Sequence, residues 1–293
     1  MIPSKVLLTG ASGIIGRAVR PVLRSRCDEI RLVDRVAITD AAANERPIEG
    51  DIRDLDAMTT AMDGVGCVLH LAAIPDEAPW QRIRDMNIDG TFAVFEAARR
   101  AGVARVVFAS SHHVSGFRPL GDPVAVADEP RPSSLYGVSK VFGEALARMY
   151  FDKFGVSFVC LRIAAYAERP TDYRQLLLWI SPRDTAQLCM RALVAPGIGF
   201  LTVFGTSANT RGTYDRAGWD RLGYRPEDDS EHFLGRPAPP SDRPIGAADR
   251  YCGGITCLDP VKEETVQHHP SPTTTSMSRE SPPCPPNGGP IRL

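Results

Sequence analysis

With 293 residues, 43% of them hydrophobic, and a net charge of -1, the chain is long enough to bury one large core with a small annex. Acids and bases are interspersed without a basic stripe, which argues against a nucleic-acid partner and leaves substrate steering to local groups. No apolar run has the length of a bilayer span, and the opening Met1-Ile2-Pro3-Ser4-Lys5 enters a strand without a signal-peptide core, so the expectation is a cytoplasmic enzyme with no membrane partner. Seven cysteines, odd in number and several of them in apolar runs, suit reduced core thiols. Cys252 and Cys257 are loosely spaced and no second ligand pair follows, so no metal is expected.

In chain order, a strand is predicted at 6–9 and a helix over 14–23, ended by Arg24-Ser25-Arg26. A second strand at 30–33 closes on Asp34, and a third lies at 67–71. One helix is predicted from about Trp80 to Ala101, then an apolar strand at 105–109, a helix over 135–154 and a strand at 156–162. Ser181-Pro182-Arg183-Asp184 is a helix start, with Ser as N-cap, Pro in the first helical position and an acid in the first turn. That helix runs to about Ala195, where Pro196-Gly197 stops it, and 200–204 is a last strand. Nearly continuous apolar strands alternating with helices define an α/β chain, a Rossmann-type doubly wound parallel sheet with a small C-terminal substrate-binding region. The division expected is 1–165 for the nucleotide-binding core, 166–258 for a substrate-side region with the last core elements, and 259–293 for a Pro/Ser/Thr-rich tail unable to fold.

Thr9-Gly10-Ala11-Ser12-Gly13-Ile14-Ile15-Gly16 follows a strand and opens a helix. Its three glycines permit a tight turn, a close approach of backbone to a pyrophosphate, and close helix–strand packing. The helix N-terminus then presents unpaired N–H groups and a positive dipole to phosphates. Asp34, eighteen residues past Gly16, suits the hydroxyls of an adenosine ribose and repels a 2′-phosphate, which favours NAD, although neighbouring Arg35 could accommodate NADP. Asp51-Ile52 is expected to flank the adenine. Leu71-Ala72-Ala73 ends the next strand with small residues that let backbone approach the cofactor.

Ser110-Ser111-His112-His113 closes the strand at 105–109, and Tyr136-Gly137-Val138-Ser139-Lys140 opens the following helix. A tyrosine and a lysine four residues apart share a helix face, so the ammonium is expected to lower the phenol's pKa and make it a base. Ser111 could hold the oxygen of an alcohol undergoing oxidation.

These features, with Asn87-Ile88-Asp89-Gly90-Thr91, resemble an extended short-chain dehydrogenase/reductase. Within that superfamily the chain is similar to the uronate dehydrogenases, through Phe108 to His113, Leu135 to Glu144, Ala147 to Gly155, Tyr173-Arg174, Ser207 to Thr210 and Leu222-Gly223-Tyr224. The similarity extends over roughly residues 5–255. It implies NAD as cofactor, held by Gly10, Ser12, Gly13, Ile14, Ile15 and Gly16, by Asp34, Arg35, Asp51 and Ile52, and by Leu71, Ala72, Ala73, Asn87, Tyr136, Lys140 and Ile163. It also implies oxidation of the C1 hydroxyl of a cyclic glucuronate or galacturonate to its lactone. Tyr136 would be the base, Lys140 its activator and a grip on the nicotinamide ribose, and Ser111 the orienting hydroxyl. Arg174 would clamp the sugar carboxylate, and His113 would line the sugar site. The pattern has serine where this chain has Pro75, asparagine where it has His112, and serine where it has Ala165. The missing hydroxyl at 165 would remove a hydrogen bond to a charged group, a loss of about 1.5–3 kcal/mol, while His112 could compensate as a donor or as a charged imidazolium. A related sugar acid is therefore an alternative substrate.

Two other functions share the motifs. A nucleotide-sugar epimerase or dehydratase uses the same Tyr/Ser/Lys set and retains its cofactor, but only about 100 residues follow Arg162 before the tail and no basic cluster among them suits a pyrophosphate. A non-catalytic NAD-binding redox sensor would not require the base. Homo-oligomerisation is left open by the sequence.

Overall fold

The computed structural model describes residues 4–236, 240–242, 244 and 246–263. The Pro-rich segment from 264 to 293, most of the expected tail, lies outside the described residues. The first half builds β1 (Lys5–Thr9), α1 (Ile14–Arg24), β2 (Glu29–Asp34), β3 (Glu45–Glu49), α2 (Leu55–Ala61) and β4 (Cys67–His70). There follow α3 (Trp80–Ile83), a π-helical segment at Arg84–Asp89, α4 (Gly90–Arg100), β5 (Arg105–Ser111), α5 (Leu135–Phe154) and β6 (Ser157–Ile163). The chain continues with β7 (Ala165–Tyr166), α6 (Tyr173–Leu178), β8 (Trp179–Ile180), α7 (Pro182–Val194), β9 (Phe200–Gly205) and α8 (Trp219–Leu222).

Seven strands form one parallel sheet in the order β3-β2-β1-β4-β5-β6-β9, and β7 pairs with β8 apart from it. The order reverses between β1 and β4, where open α/β sheets form a crevice at the carboxyl ends of their strands. Successive strand residues point to opposite faces: Leu8, Leu32, Leu69, Val107 and Leu161 belong to one core, and Leu7, Val68, Val106, Phe108 and Phe158 to the other. Both faces are therefore dry, which is why the strands read as continuous apolar runs. Among the described residues no helix is long and apolar enough to cross a membrane.

Two local departures from the expected elements have physical causes. The edge strand β3 is Glu-Arg-Pro-Ile-Glu, and its polar run with a central proline gives no strand signal, yet an edge position tolerates both. Its Glu45 is buried and receives Arg20 Nε and Nη2 at 3.0 and 2.9 Å and Arg24 Nη2 at 2.9 Å, so the edge is fixed to α1 by charge. The single helix expected at 80–101 is interrupted by the π-helical turn. The wider turn contains Asn87, whose side chain both accepts from Ile74 N at 2.8 Å and donates to Ile74 O at 3.0 Å.

Candidate active site

The glycine turn lies at the end of β1, where Gly10 N donates to Val33 O at 3.0 Å. A Cβ on Gly16 would sit 2.8 Å from Ala11 O and closer still to Gly10 O, so α1 can start directly over the strand only with glycine there. Its N-cap, Gly13, provides no side-chain acceptor, which leaves the first-turn N–H groups available to a phosphate. Ser12 N donates to Asp34 Oδ2 at 2.9 Å and Val36 N to Oδ1 at 3.2 Å. Burial raises the Asp34 pKa, but these hydrogen bonds outweigh it and hold the group below the ordinary carboxylate value. A tight uncapped turn beside an ionised carboxylate fits the pyrophosphate and ribose of a dinucleotide.

Ser111 is the last residue of β5, and its hydroxyl accepts from His113 N at 3.2 Å. Ser134 caps α5 by accepting from Gly137 N at 3.0 Å, which places Tyr136 and Lys140 on the first turns facing the strand ends. Lys140 is buried, donates Nζ to Ala109 O at 2.8 Å, and lies 5.4 Å from the centroid of the Tyr136 ring. Burial pushes the ammonium down to about 7 and the phenol up to about 12, although a hydrogen bond with Ser111 lowers the latter. The expectation that the lysine brings the phenol below its ordinary value is thus corrected: desolvation dominates in this structure because both groups lie at the bottom of the crevice.

The opposite wall carries the histidines and Arg174. His112 is buried, its Nδ1 3.3 Å from Tyr214 Oη, and burial first, then His113 and Arg174, holds it well below its ordinary pKa. This environment disfavours the charged imidazolium and favours the hydrogen-bonding role. His113 Nδ1 meets Ser133 Oγ at 3.2 Å and Thr256 Oγ1 at 3.3 Å, its ring is edge-on to Tyr136 with centroids 5.7 Å apart, and burial with Arg174 lowers it to about 4. Arg174, on α6, is braced by Cys252 O at 3.4 Å and Asp172 at 4.0 Å. Gly254, at φ +63°, packs so closely on this guanidinium that a Cβ would meet Nε at 2.8 Å.

A cavity of about 610 Å³ joins these parts, a size suited to a bound small molecule. The glycine turn, Ile14, Ile15, Asp34, Arg35, Ile52, Leu71, Ala72, Ala73 and Ile163 line it, as do Ser111, Tyr136 and Lys140. Pro75, His112, His113, Ala165 and Arg174 line the same space. Asp51 and Asn87 do not. Asp51 pairs with Arg53, Nη2 to Oδ2 at 2.7 Å, and Asn87 holds the Ile74 backbone and donates to Ser139 Oγ at 3.1 Å. Asn87 is buried behind the wall, whereas Asp51 is engaged by Arg53 at the partly exposed surface. Sequence reasoning missed Met86, Ser110, Tyr166 and Gln175, which also line the cavity, and Glu77, whose buried carboxylate accepts from Tyr136 N at 3.2 Å. Gln175 was legible as the neighbour of Arg174; Glu77 carried no periodic or motif signal.

The geometry defines a class: a Rossmann-type oxidoreductase with a Ser/Tyr/Lys centre at the switch point of its sheet. Residues 6–186 match the NAD dependent epimerase/dehydratase family, and the chain belongs to that family. It is 37% identical over 256 residues to a uronate dehydrogenase of Pseudomonas syringae, covering 86% of this chain and 92% of the relative. An NAD-dependent glucose-6-phosphate dehydrogenase of Haloferax volcanii is 38% identical over 251 residues, 78% of this chain and 95% of the relative. Among solved structures, a mutant uronate dehydrogenase of Agrobacterium tumefaciens complexed with NAD superposes with a TM-score of 0.83 at 36% identity, covering 89% of this chain and 99% of that one.

Proposed function

We propose that this chain is an NAD-dependent dehydrogenase that oxidises the C1 hydroxyl of a cyclic hexuronate, glucuronate or galacturonate, or of a related sugar acid, to its lactone. The observation that carries the reading is the presence of Ser111, Tyr136, Lys140 and Arg174 on one cavity continuous with the glycine turn. Gly10, Ser12, Gly13 and Gly16 would hold the pyrophosphate of NAD and Asp34 its adenosine ribose. When bound, NAD supplies the hydride acceptor for C1. Tyr136 Oη takes the proton of the C1 hydroxyl, while the Ser111 hydroxyl, lining the same cavity, orients the substrate oxygen. Lys140 stabilises the phenolate through its charge, which is strong in this desolvated position. Ala109 O fixes the ammonium at 2.8 Å, so no rearrangement is required. Arg174 meets the sugar carboxylate with two parallel donors, a contact that a neutral hydroxymethyl cannot reproduce.

Percentage identity alone does not choose the sugar, since relatives named for uronate and for glucose 6-phosphate are 37% and 38% identical, but the uronate relative covers 86% of this chain against 78%; the guanidinium favours an anionic sugar over a neutral one. Purified protein supplied with NAD and either glucuronate or galacturonate is expected to generate NADH, followed by its absorbance. No NADH with either uronate removes the substrate assignment.

A further inference from the structure

Ala165, whose side chain cannot hydrogen-bond, lines the cavity with Arg174, and a polar side chain follows Arg174 in sequence. Gln175 lines the same cavity as Ala165 and Arg174. The three are local neighbours: α6 connects β7, which begins at Ala165, to β8, and Ala165 pairs with Trp179 across those two strands. The Gln175 amide has a defined orientation. Its Oε1 accepts from Thr171 N at 2.9 Å and from Thr171 Oγ1 at 3.4 Å, so the oxygen end is turned back to the loop and the Nε2 end, which can only donate, is left for the cavity. The α6 backbone is independently fixed, since Asp172 Oδ1 accepts from Gln175 N at 2.8 Å.

Resting on the sugar-acid reading above, we infer that Gln175 is a substrate-binding and specificity-determining residue: its Nε2 amide donates to the same carboxylate that Arg174 clamps, in place of the hydroxyl absent at Ala165. The geometry favours this over a structural role for the residue alone. A glutamine needed only to cap Thr171 has no reason to line the cavity next to Arg174, and any acceptor would serve Thr171 equally. The pair also explains how Ala165 and Pro75, neither of which can donate a hydrogen bond from its side chain, coexist with an acidic substrate.

The test uses Gln175→Glu and Gln175→Leu in the full-length protein with saturating NAD and glucuronate or galacturonate, whichever the wild type oxidises. Gln175→Glu keeps an oxygen for Thr171 and removes the donor, while Gln175→Leu removes both. KM for the uronate is expected to rise about tenfold in Gln175→Leu and more in Gln175→Glu, where two carboxylates face each other. In both, kcat and Tm are expected to stay close to wild type. Ala165→Ser added to Gln175→Leu should recover most of the affinity by restoring a hydroxyl. An unchanged KM in both variants overturns the inference, as does a loss confined to Gln175→Leu with a lowered Tm, which would make the residue a support for Thr171. Failure of the wild type itself to oxidise either uronate would instead overturn the underlying reading, so the two are separable.

Discussion

Replacing Lys140 by methionine retains the buried stem and removes the ammonium. Nζ lies 5.4 Å from the centre of the Tyr136 ring, and with an effective dielectric constant of about 20 a charge at that distance favours a phenolate by about 332/(20 × 5.4), or about 3 kcal/mol. At 1.36 kcal/mol per pKa unit this is about two units. Burial, partly offset by the Ser111 hydrogen bond, pushes the phenol up to about 12, so removing the ammonium leaves the phenolate without a compensating charge. For Lys140→Met, kcat/KM at neutral pH should fall about a hundredfold, and the ascending limb of its pH profile should move up by about two units. The assay is initial NADH formation across pH at saturating NAD, with the NAD dependence measured separately at each pH. A limb that stays in place, with the loss confined to KM for NAD, would refute the electrostatic role and leave Lys140 as a grip on the cofactor alone.

The same substitution should stabilise the fold. Lys140 falls from 10.5 to about 7 on folding, so the unfolded chain binds more protons between those values and stability rises with pH across that window. Below pH 7 the full penalty applies, up to about 5 kcal/mol, so Lys140→Met should gain most in urea titrations at pH 6 and nothing above about pH 10.5. An equal gain at both pH values would contradict this. Glu45, buried against Arg20 and Arg24 and held down at about 2, has the opposite sign. Its contribution of about 3 kcal/mol is fully present above the unfolded value of 4.5 and is lost as pH falls toward 2. Glu45→Gln should therefore destabilise markedly at pH 6 and little at pH 2, and a pH-independent difference would count against it. Gly16→Ala drives a methyl to 2.8 Å from Ala11 O, and because the obstacle is backbone the turn must open. NAD affinity by calorimetry should fall at least about tenfold, and wild-type affinity would show the turn is not the phosphate cradle.

The sheet was legible because both of its faces are buried. Strands such as Val106-Val107-Phe108 and Phe158-Val159-Cys160 are apolar on every residue, and only a parallel sheet between helix layers requires that. The Ser181-Pro182 start of α7 was equally readable, since Ser181 Oγ accepts from Asp184 N at 3.0 Å through purely local geometry. What escaped depends on contacts far apart in sequence. Glu45 makes β3 through α1, and Asn87 requires a π-helical turn to reach Ile74. Tyr214 is brought to His112 across 102 positions, and nothing near either residue announces the pairing. The protonation of Tyr136 is hidden for the same reason: the i, i+4 spacing reveals the neighbouring charge but not the depth at which both groups are buried.

The central claim is that hydride leaves the sugar for good, with Tyr136 taking the proton and the reduced cofactor departing. It is tested most directly by measuring NADH released per hexuronate consumed under multiple turnovers. One NADH per lactone, abolished in Tyr136→Phe, is the predicted result. Consumption or isomerisation of the sugar without net NADH would contradict the account and indicate a cofactor retained through an epimerase cycle.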